Sequence, residues 1–442
     1  MEMTVVQCTF QREQIVDFFK NKLKDLKFIS PEDYKQIESW LSSLCDTTKK
    51  RYEKTHIAWD VWQFFFEKSL RALTDNVRGH DKLYRYLNEY MEYENLLFAI
   101  DRKYRDHMIH SIWVMLLGFY LKDKYHQFND MDYMNIFLLC DDVKCLEEYN
   151  TVKKIIKEKE DPLWCLIALT HDLGYPIERT KRANEVMTKM INNFGFLKQK
   201  DFDYNFTTVH EPVINELLNI LSYQLIWRPN SWTIGYASGT RADHAKSFER
   251  LDHGIMAAYL LQMYLDWIFD DLNIRHGTEN IYPLKNEDAA RMTYIITLLD
   301  AISAHTNKNR YVKMDTVNEM QTLLFLSDEL DELSRFSRSK TDEWIEINCK
   351  TEFEWTNEVF QINYTFDESK DYDVVEFFKG KVDKLNDRFE IGNTKSLKLS
   401  LNCKGTMSKK SVVCKYEKTS SSCFVIINDK TYRDMYEFLS GR

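Results

Sequence analysis

Glycine and proline are scarce in this chain, 12 and 6 among 442 residues. Both interrupt helices, so their scarcity disfavours an architecture of many tight turns and suits long α-helices. Cysteine occurs nine times but never as Cys-x-x-Cys. That spacing argues against a thiolate zinc site, and the odd count fits reduced thiols better than a disulfide framework. Apolar runs are short. Ile112 to Tyr120, among the longest, falls well below the roughly 20 residues of a membrane span, and the N-terminus lacks a basic-then-apolar signal pattern. The expectation is a soluble, cytoplasmic protein with no membrane partner. Positive charge is not in excess either: 60 Lys and Arg stand against 69 Asp and Glu, a net charge of −9. A surface that holds a nucleic-acid polymer by charge is therefore disfavoured, though a locally basic pocket is compatible with it.

What is present is helical periodicity. After a β-like start at Thr4 to Phe10, Glu13 to Leu23 and Pro31 to Leu44 read as amphipathic helices, the second opened by Ser30-Pro31. Thr55 to Leu73 carries Trp59, Trp62, Phe64, Phe65 and Phe66, a pattern of core or subunit contact. His56 and His80 read as surface residues. From about Ser337 the period changes to alternation at Ile345, Ile347 and Cys349 and again at Phe360, Ile362, Tyr364 and Phe366, which predicts strands. A helix over Asp371 to Phe389, three further strands and a last helix near Tyr432 to Leu439 complete a small α+β domain. The predicted organisation is mainly α: a helical region over 1–99, a helical domain over 100–336, and an α+β domain over 343–442 whose role, oligomerisation or ligand sensing, has no motif behind it.

Chemistry concentrates in the helical part. Leu166 to Arg182 places His171 beside Asp172 at the end of an apolar run, just before Gly174 and Pro176 stop the helix. Alone, such a pair is commonly a cap. His107 and His110, three apart on one apolar helix face, add to it. A core histidine bonded to a carboxylate explains either of these singly better than it explains both. His253 leads into an apolar helix read over Ile255 to Ile268, and His305 ends another, Arg291 to His305, that also carries Asp300. Asp328 sits among leucines. Asp331 is expected to form a surface pair with Arg335. Trp227 to Asp243 reads as a long polar-aromatic loop, either covering a substrate or a disordered excursion, with the first preferred. His110, His171, Asp172, His253, His305 and Asp328 offer nitrogen and oxygen donors without thiolate, which suits Mn, Mg, Fe, Co, Ni or Zn. Four His and two carboxylates exceed the usual protein ligands of one ion. Two ions sharing Asp172 would suit hydrolysis of a phosphoester.

In order and in helical setting these residues resemble the HD-domain superfamily of metal-dependent phosphohydrolases, over roughly residues 100 to 336. The resemblance implies one ion held by His110, His171, Asp172 and Asp328, with Asp172 bridging to a second held by His253 and His305. It also implies catalytic roles for Asp172 and for His107, which falls where many members carry a basic residue contacting substrate. The run His171-Asp172-Leu-Gly174-Tyr175-Pro176 is most similar to that of deoxynucleoside triphosphate triphosphohydrolases, although the further Gly-His and Glu of that run are missing. Gly174-Tyr175-Pro176 follows His-Asp directly, unlike the downstream Gly-Tyr-Pro of cyclic dinucleotide phosphodiesterases. The expected activity is hydrolysis of a nucleotide phosphoester, with a (deoxy)nucleoside triphosphate favoured over a cyclic nucleotide. A non-catalytic nucleotide sensor is the reading from another class. Arg105, Tyr175, Lys181, Arg241, His244, Lys308 and Arg310 are the expected substrate contacts, and a homo-oligomer is an open partner.

Overall fold

The computed structural model describes residues 7–9, 12–46, 48–100, 106–125, 128, 130–193, 210–268, 283–307, 319–331, 349–356, 359–369, 372–388, 398–419, 422–428, 430–432 and 438. The chain divides into two compact units: residues 1–61, 97–130 and 313–442 form the first, and 62–96 and 131–312 the second. The predicted segments 1–99 and 100–336 are each distributed over both.

The chain begins with β1 (Gln7–Thr9), α1 (Arg12–Lys22) and α2 (Tyr34–Cys45). Pro31 opens a short 3-10 turn, Pro31–Asp33, that leads into α2. Two long helices follow, α3 (Arg51–Leu73) and α4 (His80–Ile100). On α3 the aromatic run is core, as its spacing predicts: Ala58, Trp62, Phe65, Phe66 and Leu70 are buried, and Trp62 stacks on Phe66. Next is α5 (His107–Lys124), whose residues 107 to 122 are all buried. Apart from His107, His110, Ser111 and Lys122 these are apolar and lie on every side of the helix, which places it inside the protein. Its N-cap is Asp106, fully buried, whose Oδ1 accepts from the Ile109 amide at 3.0 Å. The other carboxylate oxygen takes the Thr55 hydroxyl at 2.7 Å and Arg51 at 3.0 Å.

The second unit contains β2 (Phe137–Leu138), α6 (Val143–Lys157), α7 (Glu160–Thr170), α8 (Tyr175–Asn192) and α9 (Glu211–Ile220). They are followed by β3 (Tyr223–Arg228), β4 (Ser231–Tyr236), α10 (Ser238–Arg250), α11 (His253–Tyr264) and α12 (Asn286–Ala304). The expected substrate-covering loop at Trp227 to Asp243 is corrected here. The stretch is the second half of an antiparallel hairpin and the start of a helix, with Arg228 paired to Ser231 around a Pro229-Asn230 turn. Asn230 takes φ of 68°, a value asparagine tolerates in tight hairpins. Trp232 is fully buried, edge-on to Phe137 and Trp227, so its aromatic character serves the core.

The first unit resumes with α13 (Met320–Leu330), which packs on α5. It continues with β5 (Cys349–Thr356), β6 (Val359–Phe366), α14 (Val374–Arg388), β7 (Lys398–Met407), β8 (Lys410–Lys418), β9 (Cys423–Ile427) and β10 (Lys430–Tyr432). The sheet order is β1-β5-β6-β7-β8-β9-β10. All neighbours are antiparallel except β6 and β7, which α14 connects by a crossover. Burial of Phe360, Ile362, Tyr364 and Phe366 fulfils the predicted alternation, and Val374, Phe378, Val382 and Leu385 form the buried stripe of α14. Tyr432, expected to start the last helix, instead ends β10, paired with Val425. Apart from Phe438, the remainder of that predicted helix lies outside the described residues. The protein is thus mainly α with a small C-terminal α+β part, whose sheet also takes in the N-terminal β1. Among the described residues no helix is long and apolar enough to cross a membrane.

Candidate metal centre

Buried along almost its whole length, α7 delivers His171 at its C-cap. The chain turns through Asp172, Leu173 and Gly174, and α8 restarts at once with Pro176 in its first turn. Gly174 is required. A Cβ there would run into the backbone carbonyl of His253 and crowd Met256 and Ala257 on α11. A second glycine does the same on the other side: a Cβ at Gly254 would sit 2.5 Å from the Ile302 carbonyl and 3.0 Å from His305 Nδ1. The two glycines let the 171–174 turn, the start of α11 and the end of α12 meet at backbone distance, which brings three histidines onto one carboxylate.

That carboxylate is Asp172. Its Oδ2 lies 3.4 Å from His171 Nε2, and its Oδ1 lies 3.4 Å from His253 Nε2 and 3.8 Å from His305 Nε2. One ligand atom from each of Asp172, His253 and His305 falls within 4.8 Å of the others. The His305 ring is edge-on to those of His171 and His253, with centroids 5.2 and 5.1 Å away.

The remote ring nitrogens are all committed. His171 Nδ1 donates to the Ala168 carbonyl at 2.8 Å, and His305 Nδ1 to the Ile302 carbonyl at 2.5 Å. His253 Nδ1 lies 2.6 Å from Glu178 Oε2, which also accepts from the His253 amide at 3.1 Å. Burial would raise the Glu178 pKa, but the hydrogen bonds and charge of His253 hold it below the usual carboxylate value. When Nδ1 carries the proton, Nε2 is left as a lone pair, the form in which imidazole binds metal. His305 Nε2 is buried and has no hydrogen-bond partner among the described residues. A buried nitrogen in that state costs free energy unless something fills its lone pair. The donor set of three nitrogens and one carboxylate therefore fits a divalent ion.

In the first unit His110 lies between two carboxylates. Its Nδ1 is 2.6 Å from Asp331 Oδ2 and its Nε2 is 2.9 Å from Asp328 Oδ1. Burial opposes the charged ring, yet the hydrogen bonds and charges of Asp328 and Asp331 outweigh it and push the pKa up to about 10. The expected surface pair of Asp331 with Arg335 is corrected by this geometry. Asp331 is fully buried as the C-cap of α13 and meets His110, while Arg335 lies outside the described residues. His107 is buried in the first turn of α5.

The structure thus brings together His171, Asp172, His253 and His305 in one unit, and His110 with Asp328 in the other. Of the expected substrate contacts, Arg105, Lys308 and Arg310 lie outside the described residues. Tyr175 sets its ring against His253, with centroids 5.4 Å apart, and Lys181 is half-buried further along α8. Arg241 is engaged with α9, donating to Asn219 at 3.1 Å and Asn215 at 3.3 Å. His244 is fully buried, 3.6 Å from Asp300. Three participants were missed by sequence reasoning. Glu178 orients His253, Arg179 lies 4.6 Å over the Tyr175 ring and donates to its hydroxyl, and Asp331 holds His110. Only Glu178 had a readable signal, an acid in the first turn of the helix that follows His-Asp. No family model, curated protein or solved structure matches the chain.

Proposed function

We propose that Asp172, His171, His253 and His305 hold a divalent cation and that the protein is a metal-dependent phosphohydrolase of the HD type acting on a nucleotide. The observation that carries this reading is Asp172 with three Nε2 atoms within 3.8 Å, each of whose rings has its other nitrogen occupied. Three imidazoles converging on one carboxylate have no structural purpose that a single His-Asp pair would not meet. A bound divalent ion supplies Lewis acidity toward phosphoryl oxygens and lowers the pKa of bound water.

The protein's own groups have separable tasks. Glu178 keeps His253 in the binding tautomer and orientation. The Ala168 and Ile302 carbonyls do the same for His171 and His305. Tyr175 and Arg179 stand at the His253 edge of the cluster, where a ring face and a guanidinium suit a base and a phosphate. In the net reaction water adds to phosphorus, the ester P–O bond breaks, and the departing oxygen takes up a proton. A (deoxy)nucleoside triphosphate is the preferred substrate, on the similarity of the 171–176 run. Elemental analysis of the purified chain, followed by a nucleotide screen for released phosphate or triphosphate, tests the reading. Bound metal with hydrolysis of at least one nucleotide is expected, and a chain that neither retains nor takes up a divalent ion would overturn it.

A further inference from the structure

The last turn of α13 carries Asp328 and Asp331, the two carboxylates on His110, and between them lies Glu329. The final carbonyls of any helix lack partners within the helix and carry the negative end of its dipole. One of those carbonyls, that of Glu329, is met by a cation from the α+β part. Lys381 of α14 donates from Nζ to it at 2.7 Å. Lys381 is 8% exposed, and its ammonium also lies 3.6 Å from the Glu329 carboxylate and within 6 Å of the Tyr364 and Phe377 rings. The neighbouring Lys384 reaches the same carboxylate at 2.5 Å. Around these charges the contact is apolar, formed by Leu326 and Leu330 from α13 and by Ile362, Leu385 and Leu401 from the other side.

A lysine is expensive to bury, and this one is buried where it fulfils two needs at once, a helix-end carbonyl and an ion pair. It acts on the turn that aims Asp328 and Asp331. The Asp331 amide closes that turn on the Ser327 and Asp328 carbonyls at 3.1 and 3.2 Å. If the end of α13 frays, both carboxylates leave His110 together.

We propose that Lys381, acting through Glu329, is a positioning residue for the Asp328–His110–Asp331 group, so that the C-terminal α+β part sets the geometry of a histidine more than 200 positions away in sequence. Its consequence for metal binding rests on the phosphohydrolase reading together with the family resemblance, which implies His110 and Asp328 as further ligands. The positioning itself does not.

The test uses the full chain without added metal, in wild type, Lys381→Met, Lys381→Arg, Glu329→Gln and Val425→Ala. Val425, buried in β9 and not among the residues that line the contact with α13 described above, serves as a control that weakens the sheet. Two readouts are taken: the downfield His110 Nδ1–H proton resonance, assigned by its loss in Asp331→Asn, and amide exchange in residues 320–331. Lys381→Met is expected to shift or broaden the resonance and to speed exchange of the 327–331 amides about 10-fold or more, the effect of losing a charged hydrogen bond. Lys381→Arg should restore both, and Glu329→Gln should give an intermediate change. If Lys381→Met fails to fold, Glu329→Gln carries the same comparison. An unmoved resonance with unchanged exchange, or an equal change in Val425→Ala, overturns the proposal. Metal content measured separately in the same variants keeps the two readings distinguishable.

Discussion

Glu178 Oε2 stands 2.6 Å from His253 Nδ1 and 3.1 Å from the His253 backbone nitrogen, so one carboxylate fixes both a ring and the first turn of the helix that carries it. A ligand oriented in this way depends on its orienting group nearly as much as on itself. Glu178→Gln keeps a hydrogen-bonding oxygen but loses the charge. It is expected to weaken divalent-ion affinity about 10- to 100-fold while leaving the helical circular dichroism unchanged. Titration calorimetry with Mn²⁺ or Zn²⁺ measures this, and an affinity equal to wild type would remove Glu178 from the site.

Alanine at His171 or Asp172 should abolish bound metal and nucleotide hydrolysis together, with the far-UV spectrum retained. His171 lies at the end of α7, and Asp172 in the turn beyond it, so neither contributes a buried apolar side chain to the helix. Elemental analysis and phosphate release are the measurements. Activity at the wild-type level in either variant contradicts the assignment.

Gly254→Ala inserts a methyl group 2.5 Å from the Ile302 carbonyl, 2.7 Å from Thr306 Oγ1 and 3.0 Å from His305 Nδ1. Backbone cannot give way as a side-chain end can, so α11 and α12 must separate. The expected cost is about 1–3 kcal/mol in urea denaturation, the range for overpacked contacts. Metal affinity should fall as well, because His253 and His305 move apart. Gly380→Ala, with no atom of the described residues within 4 Å of the added carbon, is the matched control and should be neutral or slightly stabilising.

Thiol chemistry should vary with pH. Burial, with Glu13 adding to it, pushes the Cys45 thiol up to about 11, and burial with Asp373 pushes Cys414 up to about 12. A raised pKa keeps a thiol protonated, so at pH 8 the Cys45 thiolate is only about 0.1% populated. Exposed Cys140 is expected to be alkylated at pH 8, while half-buried Cys45 reacts about tenfold faster for each unit of rising pH up to 10 and fully buried Cys414 reacts only when the sheet opens. In the unfolded chain these thiols release protons from about pH 9, so unfolding free energy should decline as pH rises through 9 toward 11. Mass spectrometry after timed alkylation checks the first point and urea titration at several pH values the second.

Much of the local architecture is decided within a few residues and was legible for that reason. The buried stripe of α3, the alternation of β6 and the helix ending before Gly174 and Pro176 all follow from spacings of two to four positions, where neighbours share a face or a hydrogen bond. His110, His171, His253 and His305 could be marked as a set because several ligand-type residues on apolar helices are costly without a common use. Other features required the tertiary structure. Asp331 reads as half of a surface pair with Arg335 until the fold places it against His110, 221 positions earlier. The aromatic stretch around Trp232 reads as a loop until a two-residue turn folds it onto β3. The pairing of β1 with β5 is invisible in either segment, because register between distant strands depends on packing that no local period encodes. The close approach at Gly174 and Gly254 belongs to the same class. A glycine's lack of a side chain is plain in sequence, but which backbone comes near it is settled only when three helices meet.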